Sequence, residues 1–193
     1  MSLKNLTIFF AICCLFPQAI CAQQKADGII WSEIKLTWDN FQEDNSVEKY
    51  PGILARTYTK LYVTPVDTTG YVLDGGVSVK VYALMIPSIS WVRQNTIGKN
   101  SVLAHEQLHF DIVELIARRL RKELSELKVC CNTYENAINK IKKQYFARLR
   151  AMQKKYDDTH KKSWQRWVDE IANGLAELKD YSSPEVFISI YVK

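Results

Sequence analysis

The hydrophobic period of this chain changes at Asn100-Ser101, and the earlier period returns only at the end of the chain. Upstream the period is two. "ARTYTKLYVTP" sets Thr57, Thr59, Leu61 and Val63 against Tyr58, Lys60 and Tyr62 and stops at Pro65, and "VSVKVYALMIP" runs to Pro87. "WSEIKLTWDNF" carries β-branched and aromatic residues around Lys35. These stretches read as strands, and Asp74-Gly75-Gly76 reads as a turn. Downstream, Leu108, Ile112, Leu115, Ile116 and Leu120 recur at helical spacing. They predict a long helix from about Val102 to Leu127, with Ser101 as its N-cap. Asn132 followed three residues on by Glu135 resembles a capping box. The helix it opens would carry Tyr134, Ile138, Ile141, Tyr145, Leu149, Met152 and Tyr156 on one side. "DDTH" is expected to break that helix. A third would then bury Trp164, Trp167, Ile171, Leu175 and Leu178, until Ser182-Ser183-Pro184 ends it and "VFISIYV" alternates as a last strand. The expected fold class is α+β, metalloprotease-like: a β-rich N-terminal half, a helical C-terminal half, and one returning strand.

The first 22 residues differ in kind. "MSLKNLTIFFAICCLFPQAICA" has one Lys, an apolar run from Leu6 to Phe16, and Ala-Ile-Cys-Ala before Gln23. That is the pattern of a secretory signal peptide cut after Ala22, leaving residues 23–193 as a single domain. The run is too short for a span of about 20 residues, so no stable membrane insertion is expected after its removal. Ile20 before Cys21 argues for ordinary export, periplasmic or secreted, over lipid attachment. Only Cys130 and Cys131 remain in the mature chain. Adjacent cysteines rarely bond to each other, so the fold is not disulfide-stapled. Net charge is +5, and +4 once Lys4 leaves. The basic stretch from Lys140 to Lys162 suits a solvated helix face, and nucleic-acid binding is not expected.

Residues 104–114, "AHEQLHFDIVE", contain His105, Glu106 and His109 as H-E-x-x-H. Residues four apart share a helix face, so both imidazoles can reach one metal ion. Neutral histidine nitrogens suit Zn²⁺, and a glutamate beside them can take a proton from a metal-activated water. The motif sits on an amphipathic helix preceded by a strand-like segment, as a cleft for an extended peptide requires. A catalytic zinc takes three protein ligands. The metzincin continuation is excluded, because Ile112 and Leu115 stand where its Gly and His would be. Asp111 and Glu114 lie about 200° and 140° around the helix from His109, and more readily brace the fold. Glu123 is about 27 Å along an unbroken helix from His105. The remaining histidine, His160, is the expected third ligand.

"HEQLHFDIVE" followed by "KYDDTHKKSWQRW" resembles a secreted bacterial family known as domain of unknown function 922, whose members are described as zinc-dependent proteases. "LTWDNFQ" fits its opening, and the resemblance spans roughly Ile30 to Val168. It implies His160 as third zinc ligand, Glu106 as base and peptide hydrolysis as activity. Two departures stand out: Thr159 and His160 are adjacent, and Lys161 follows where the family has a small residue. Asp157 or Asp158 would orient His160, and Tyr156 would donate to a developing oxyanion or pack in the core. The expected function is thus an exported zinc peptidase acting on a peptide or protein substrate. The rivals are a zinc-containing envelope binding protein and a hydrolase of cell-wall amide bonds.

Overall fold

A computed structural model describes residues 28–44, 51–65 and 75–191. The signal segment, its cleavage point and Asp74 lie outside the described residues. The strands are β1 (Ile29–Ile30), β2 (Gln42–Glu43), β3 (Ala55–Arg56), β4 (Thr59–Pro65), β5 (Gly76–Met85), β6 (Trp91–Val92), β7 (Lys128–Cys130) and β8 (Glu185–Tyr191). The helices are α1 (Asn100–Ser125) and α2 (Tyr134–Glu177). This is the α+β arrangement the sequence predicts, β-rich before residue 100 and helical after it.

The main sheet is built around β5. Antiparallel β4 flanks it on one side, from Thr59 opposite Met85 to Pro65 opposite Val79. On its other side β1 and β8 pair end to end, and β7 adds parallel to β8. Alternation does the rest. Val79, Val81, Ala83 and Met85 of β5 and Val186, Ile188 and Ile190 of β8 all face one way and are buried. They pack on Val113, Ile116, Ala117, Leu120 and Leu124 of α1. Full burial of each such side chain is worth about 1.5–3 kcal/mol, so this layer dominates stability. The opposite side of α1 is apolar too. Leu108, Ile112 and Leu115 meet Tyr156, Trp167 and Ile171 of α2. The motif helix is therefore clamped between a sheet and a second helix, which fixes its rotation about its own axis. A small second sheet, in the order β2-β6-β3, leaves β3 at an edge.

Several sequence expectations are corrected. Residues 157–160 do not break a helix: α2 runs through them, and its one residue with non-helical angles is Ser163. The stretch holds neither proline nor glycine. Thr159 Oγ1 donates back to the Lys155 carbonyl at 2.7 Å, and Lys154 pairs with Asp158 at 2.7 Å. These i,i+4 links tolerate a helix, so two polar acids alone do not end one. The expected second and third helices are therefore two limbs of one element, kinked at Ser163. "WSEIKLTWDNF" is not a strand beyond Ile30. Its polar groups bind α1 side chains instead: Leu36 N–H donates to Gln107 Oε1 at 2.8 Å and Trp31 Nε1–H to Asp111 Oδ1 at 2.7 Å. The N-caps are Lys99 and Thr133, neither with a side-chain cap bond, in place of Ser101 and Asn132. Cys130 and Cys131 are not joined by a disulfide.

Candidate metal centre and groove

α1 presents His105 and His109 one turn apart, and their Nε2 atoms are 3.1 Å from each other. Opposite them, α2 presents Gln153, Tyr156, Asp157 and His160 from one face, at i, i+3, i+4 and i+7. Asp157 Oδ1 is 3.0 Å from His109 Nε2 and 3.7 Å from His105 Nε2. The three atoms form a triangle with edges of 3.0, 3.1 and 3.7 Å. Ligands about 2.0–2.1 Å from a tetrahedral zinc are separated by about 3.3 Å, so this donor set fits such an ion. A second observation agrees. His105 Nδ1 is buried with no hydrogen-bond partner. Leaving a buried polar atom unpaired costs about 1–3 kcal/mol. The ring is thus held with Nε2 toward the triangle at the expense of Nδ1.

His160, the expected third ligand, lies inside α2 and not in a loop. Its ring centroid is 4.3 Å from that of His105. Its Nδ1 is 3.2 and 3.0 Å from the carbonyls of Tyr156 and Asp157. A carbonyl can only accept, so Nδ1 carries the proton and Nε2 is the nitrogen left to bind. The structure thus brings all three predicted histidines side by side, but the ligand atoms that converge within 4.8 Å of one another are those of His105, His109 and Asp157, not His160.

The charges are consistent with a cation-holding site. Burial, with His109 and His160 as positive neighbours, pushes His105 down to about 3. Burial also acts to lower His109, but hydrogen bonds to Asp157 and Gln153 outweigh it and raise the ring above its ordinary value. Asp157 is held below the usual carboxylate range: burial opposes this, and the His109 bond and charge prevail. The Asp157 oxygen 3.0 Å from His109 Nε2 thus favours the charged form of that ring. Gln153 fixes that ring. Its Nε2–H donates to the His109 carbonyl at 2.9 Å, which turns its Oε1 to accept from His109 Nδ1–H.

Glu106 is buried beside the cluster. Its Oε2 accepts from Thr57 N–H at 2.7 Å and Thr57 Oγ1–H at 2.6 Å. No described residue takes Oε1. Burial raises this carboxyl above its ordinary value, against the pull of His109 and Thr57. Tyr156 packs against the imidazoles of the cluster. It is fully buried, and its hydroxyl donates to the His105 carbonyl at 3.3 Å. Its ring stacks on His105 at 4.8 Å and meets His109 edge-on at 4.8 Å. Asp111 and Glu114 brace the fold as expected. Asp111 accepts from Trp31, Lys35 and Gln107, and Glu114 binds Arg118 and Arg121.

A groove of about 1220 Å³ opens over these residues. Its walls come from residues 52–59, the first turns of α1, and α2 between Leu149 and Trp164. Small-molecule pockets run to about 1,000 Å³, so this one has room for several residues of an extended chain. Gln153 and Thr57 have no signature in the motif. Gln153 could have been found from the i, i+4 and i+7 spacing to Asp157 and His160. Thr57 is 49 residues from Glu106, and no local pattern announces it.

The fold and site together define an α+β chain in which an H-E-x-x-H helix faces a donor-bearing partner helix. Residues 98–163, about a third of the chain, match the model of a family described as a bacterial protein of unknown function (DUF922). The matched segment takes in α1 and the first limb of α2, and so holds every donor of the cluster. No curated protein and no solved structure matches the chain.

Proposed function

We propose that the chain is an exported zinc-dependent peptidase that cleaves an extended peptide bound in the groove. The observation that carries this reading is the convergence of His105 Nε2, His109 Nε2 and Asp157 Oδ1 beside a buried, raised-pKa glutamate in an open groove. His105, His109 and Asp157 would hold the zinc, with His160 against His105. A zinc ion held there supplies Lewis-acid polarisation of the scissile carbonyl and acidifies a water. Glu106 takes the water's proton at Oε1, while Thr57 fixes its other oxygen and so the plane of the carboxylate. A carboxyl whose pKa is raised toward working pH is the better general base, and can return the proton to the leaving nitrogen. Gln153 and the Tyr156 ring hold the imidazoles in place. β3, at the edge of its sheet, lines the groove where an added strand would lie. The N-terminal 22 residues support export.

One observation favours a second reading. His160 stands against His105 with ring centroids 4.3 Å apart, outside the three-donor group; were its Nε2 to reach the ion, the zinc would have four protein ligands, as structural sites do. In that case the chain is a zinc-containing binding protein of the envelope. The test is hydrolysis of an unfolded protein by the zinc-supplemented wild type beside Glu106→Gln. A general base contributes about 10²–10⁴-fold, so Glu106→Gln is expected to keep its zinc and lose at least about a hundredfold in rate. Equal rates would remove Glu106 from the chemistry. Zinc without hydrolysis would favour the binding protein. Soluble fragments released from cell wall, with unfolded protein left intact, would favour an amide hydrolase.

A further inference from the structure

Five charged residues other than histidine line the groove among the described residues: Arg56, Glu106, Arg150, Asp157 and Lys161. The two acids belong to the cluster. The rest are all cationic and exposed. Arg56 stands on the strand side, in β3, and Arg150 and Lys161 stand on α2. α1 adds to the same sign. Its first-turn residues Asn100 and Ser101 line the groove, and that turn carries no acidic residue and no side-chain cap. The positive end of the helix dipole therefore faces the groove uncompensated by its own sequence. Between the charges the walls are apolar, with the half-exposed Ile53 and Leu54 and the partly buried Trp164.

Resting on the peptidase reading, we propose that the groove selects acidic peptides, with carboxylate side chains on both sides of the bond that lies over the cluster. Spacing decides between an acidic segment and a single chain-end carboxylate. Arg150 and Lys161 are eleven residues apart on one helix, about 16 Å along its axis, with Asp157 between them. One carboxylate cannot answer both. An extended chain rises about 3.3 Å per residue, so 16 Å corresponds to about five residues. The complementary ligand is thus a strand with acidic side chains four residues apart, the spacing near this length that sets both on one face, and apolar ones between. Lysine-rich segments are rejected by the same field, which gives the site discrimination as well as attraction.

The test reads binding, so that it is independent of turnover. The probes are nonapeptides, acetylated and amidated, with a neutral coumarin label. They are identical except at two positions four apart, on one face of an extended strand, which hold Glu, Gln or Lys. A fourth probe is the Gln peptide with a free C-terminal carboxylate. Affinity is measured on the Glu106→Gln protein and, separately, on chelator-treated wild type. The Glu peptide is expected to bind tightest and the Lys peptide weakest, with the difference shrinking as salt rises. Arg150→Glu is expected to cut the Glu-over-Gln preference by about fivefold, the scale of one exposed ion pair, and Arg150→Lys to restore most of it. Equal binding of the Glu and Gln peptides would overturn the proposal. So would an unchanged preference in Arg150→Glu, or a free-carboxylate Gln peptide that binds as well as the Glu peptide. Cleavage of the Glu peptide by zinc-loaded wild type reads the peptidase assignment separately, so the two claims fail independently.

Discussion

Three groups at the cluster are each held by a partner one step behind them, while His105 Nδ1 has none. Gln153 holds His109, Thr57 holds Glu106, and backbone carbonyls hold His160. Such outer contacts typically carry 10–100-fold in metal affinity. Gln153→Ala is therefore expected to weaken zinc binding by about that factor, with the fold intact, in competition against a chromophoric chelator. An unchanged affinity would show that the ring needs no such help. The same titration has a pH sign. His109 is raised above its ordinary value and must be neutral to ligate. Zinc uptake near neutrality should then release a proton, and affinity should rise from about pH 6 to about pH 8. His105, held down to about 3, contributes no proton in that window. A flat profile would contradict the charge assignment. The histidines and Glu106 were legible in the sequence because i, i+1 and i+4 spacing on one helix is a local pattern. Thr57 was not, since the contact joins distant segments. Asp157 was read as a support for His160, because whether a carboxylate reaches a metal or its ligand depends on how two helices face each other.

At the scale of elements, α2 is the part that sequence reading divided wrongly. The acids at 157 and 158 look like a helix end. Yet Asp157 has to lie on α2's inner face, one turn beyond Gln153 and just short of His160, and a continuous helix is what puts it there. Tyr156 is the pivot of that face, packed at once against His105, His109, His160 and Trp167. Tyr156→Phe loses one 3.3 Å hydrogen bond to a carbonyl, and is expected to cost no more than about 1.5 kcal/mol. Tyr156→Ala empties a fully buried ring site and should cost about 3–5 kcal/mol in denaturant unfolding. If Tyr156→Phe instead abolished hydrolysis with stability and zinc preserved, the hydroxyl would be chemical after all. The period-two stretches ending at Pro65 and Pro87 and the final "VFISIYV" were legible as strands, because each has one buried face. "WSEIKLTWDNF" was misread because its donors bind Gln107 and Asp111 of α1, which no strand propensity encodes.

For the whole molecule, a buried ion network adds to the apolar packing that joins the sheet to the motif helix. Arg121 donates to both oxygens of Glu114, to the Val81 carbonyl of β5 at 2.8 Å, and to the Tyr181 and Ser182 carbonyls leading into β8. One side chain thus ties the last strand to the helix carrying His105 and His109. Removing a partner from a buried charge network costs about 3–5 kcal/mol. Arg121→Met is expected to lose that much in denaturant unfolding, far more than a surface arginine such as Arg166. A loss below about 1 kcal/mol would show that Arg118 alone can satisfy Glu114. The fold class was readable from the change of hydrophobic period at residue 100 and its return in the last strand. The two-sided burial of α1 was not, because a helix apolar on both flanks needs two partners, and their order in space is set by packing.

The central claim is a zinc ion held between the two helices, and its most direct test is elemental analysis of the purified protein. Wild type would be compared with His109→Ala, Asp157→Ala and His160→Ala, after reconstitution and removal of loose metal. The expected result is one zinc per chain in the wild type, lost in His109→Ala and Asp157→Ala, with His160→Ala retaining it at reduced affinity. Full retention in Asp157→Ala with loss in His160→Ala would transfer the third ligand to the histidine. No zinc in the wild type would contradict the account.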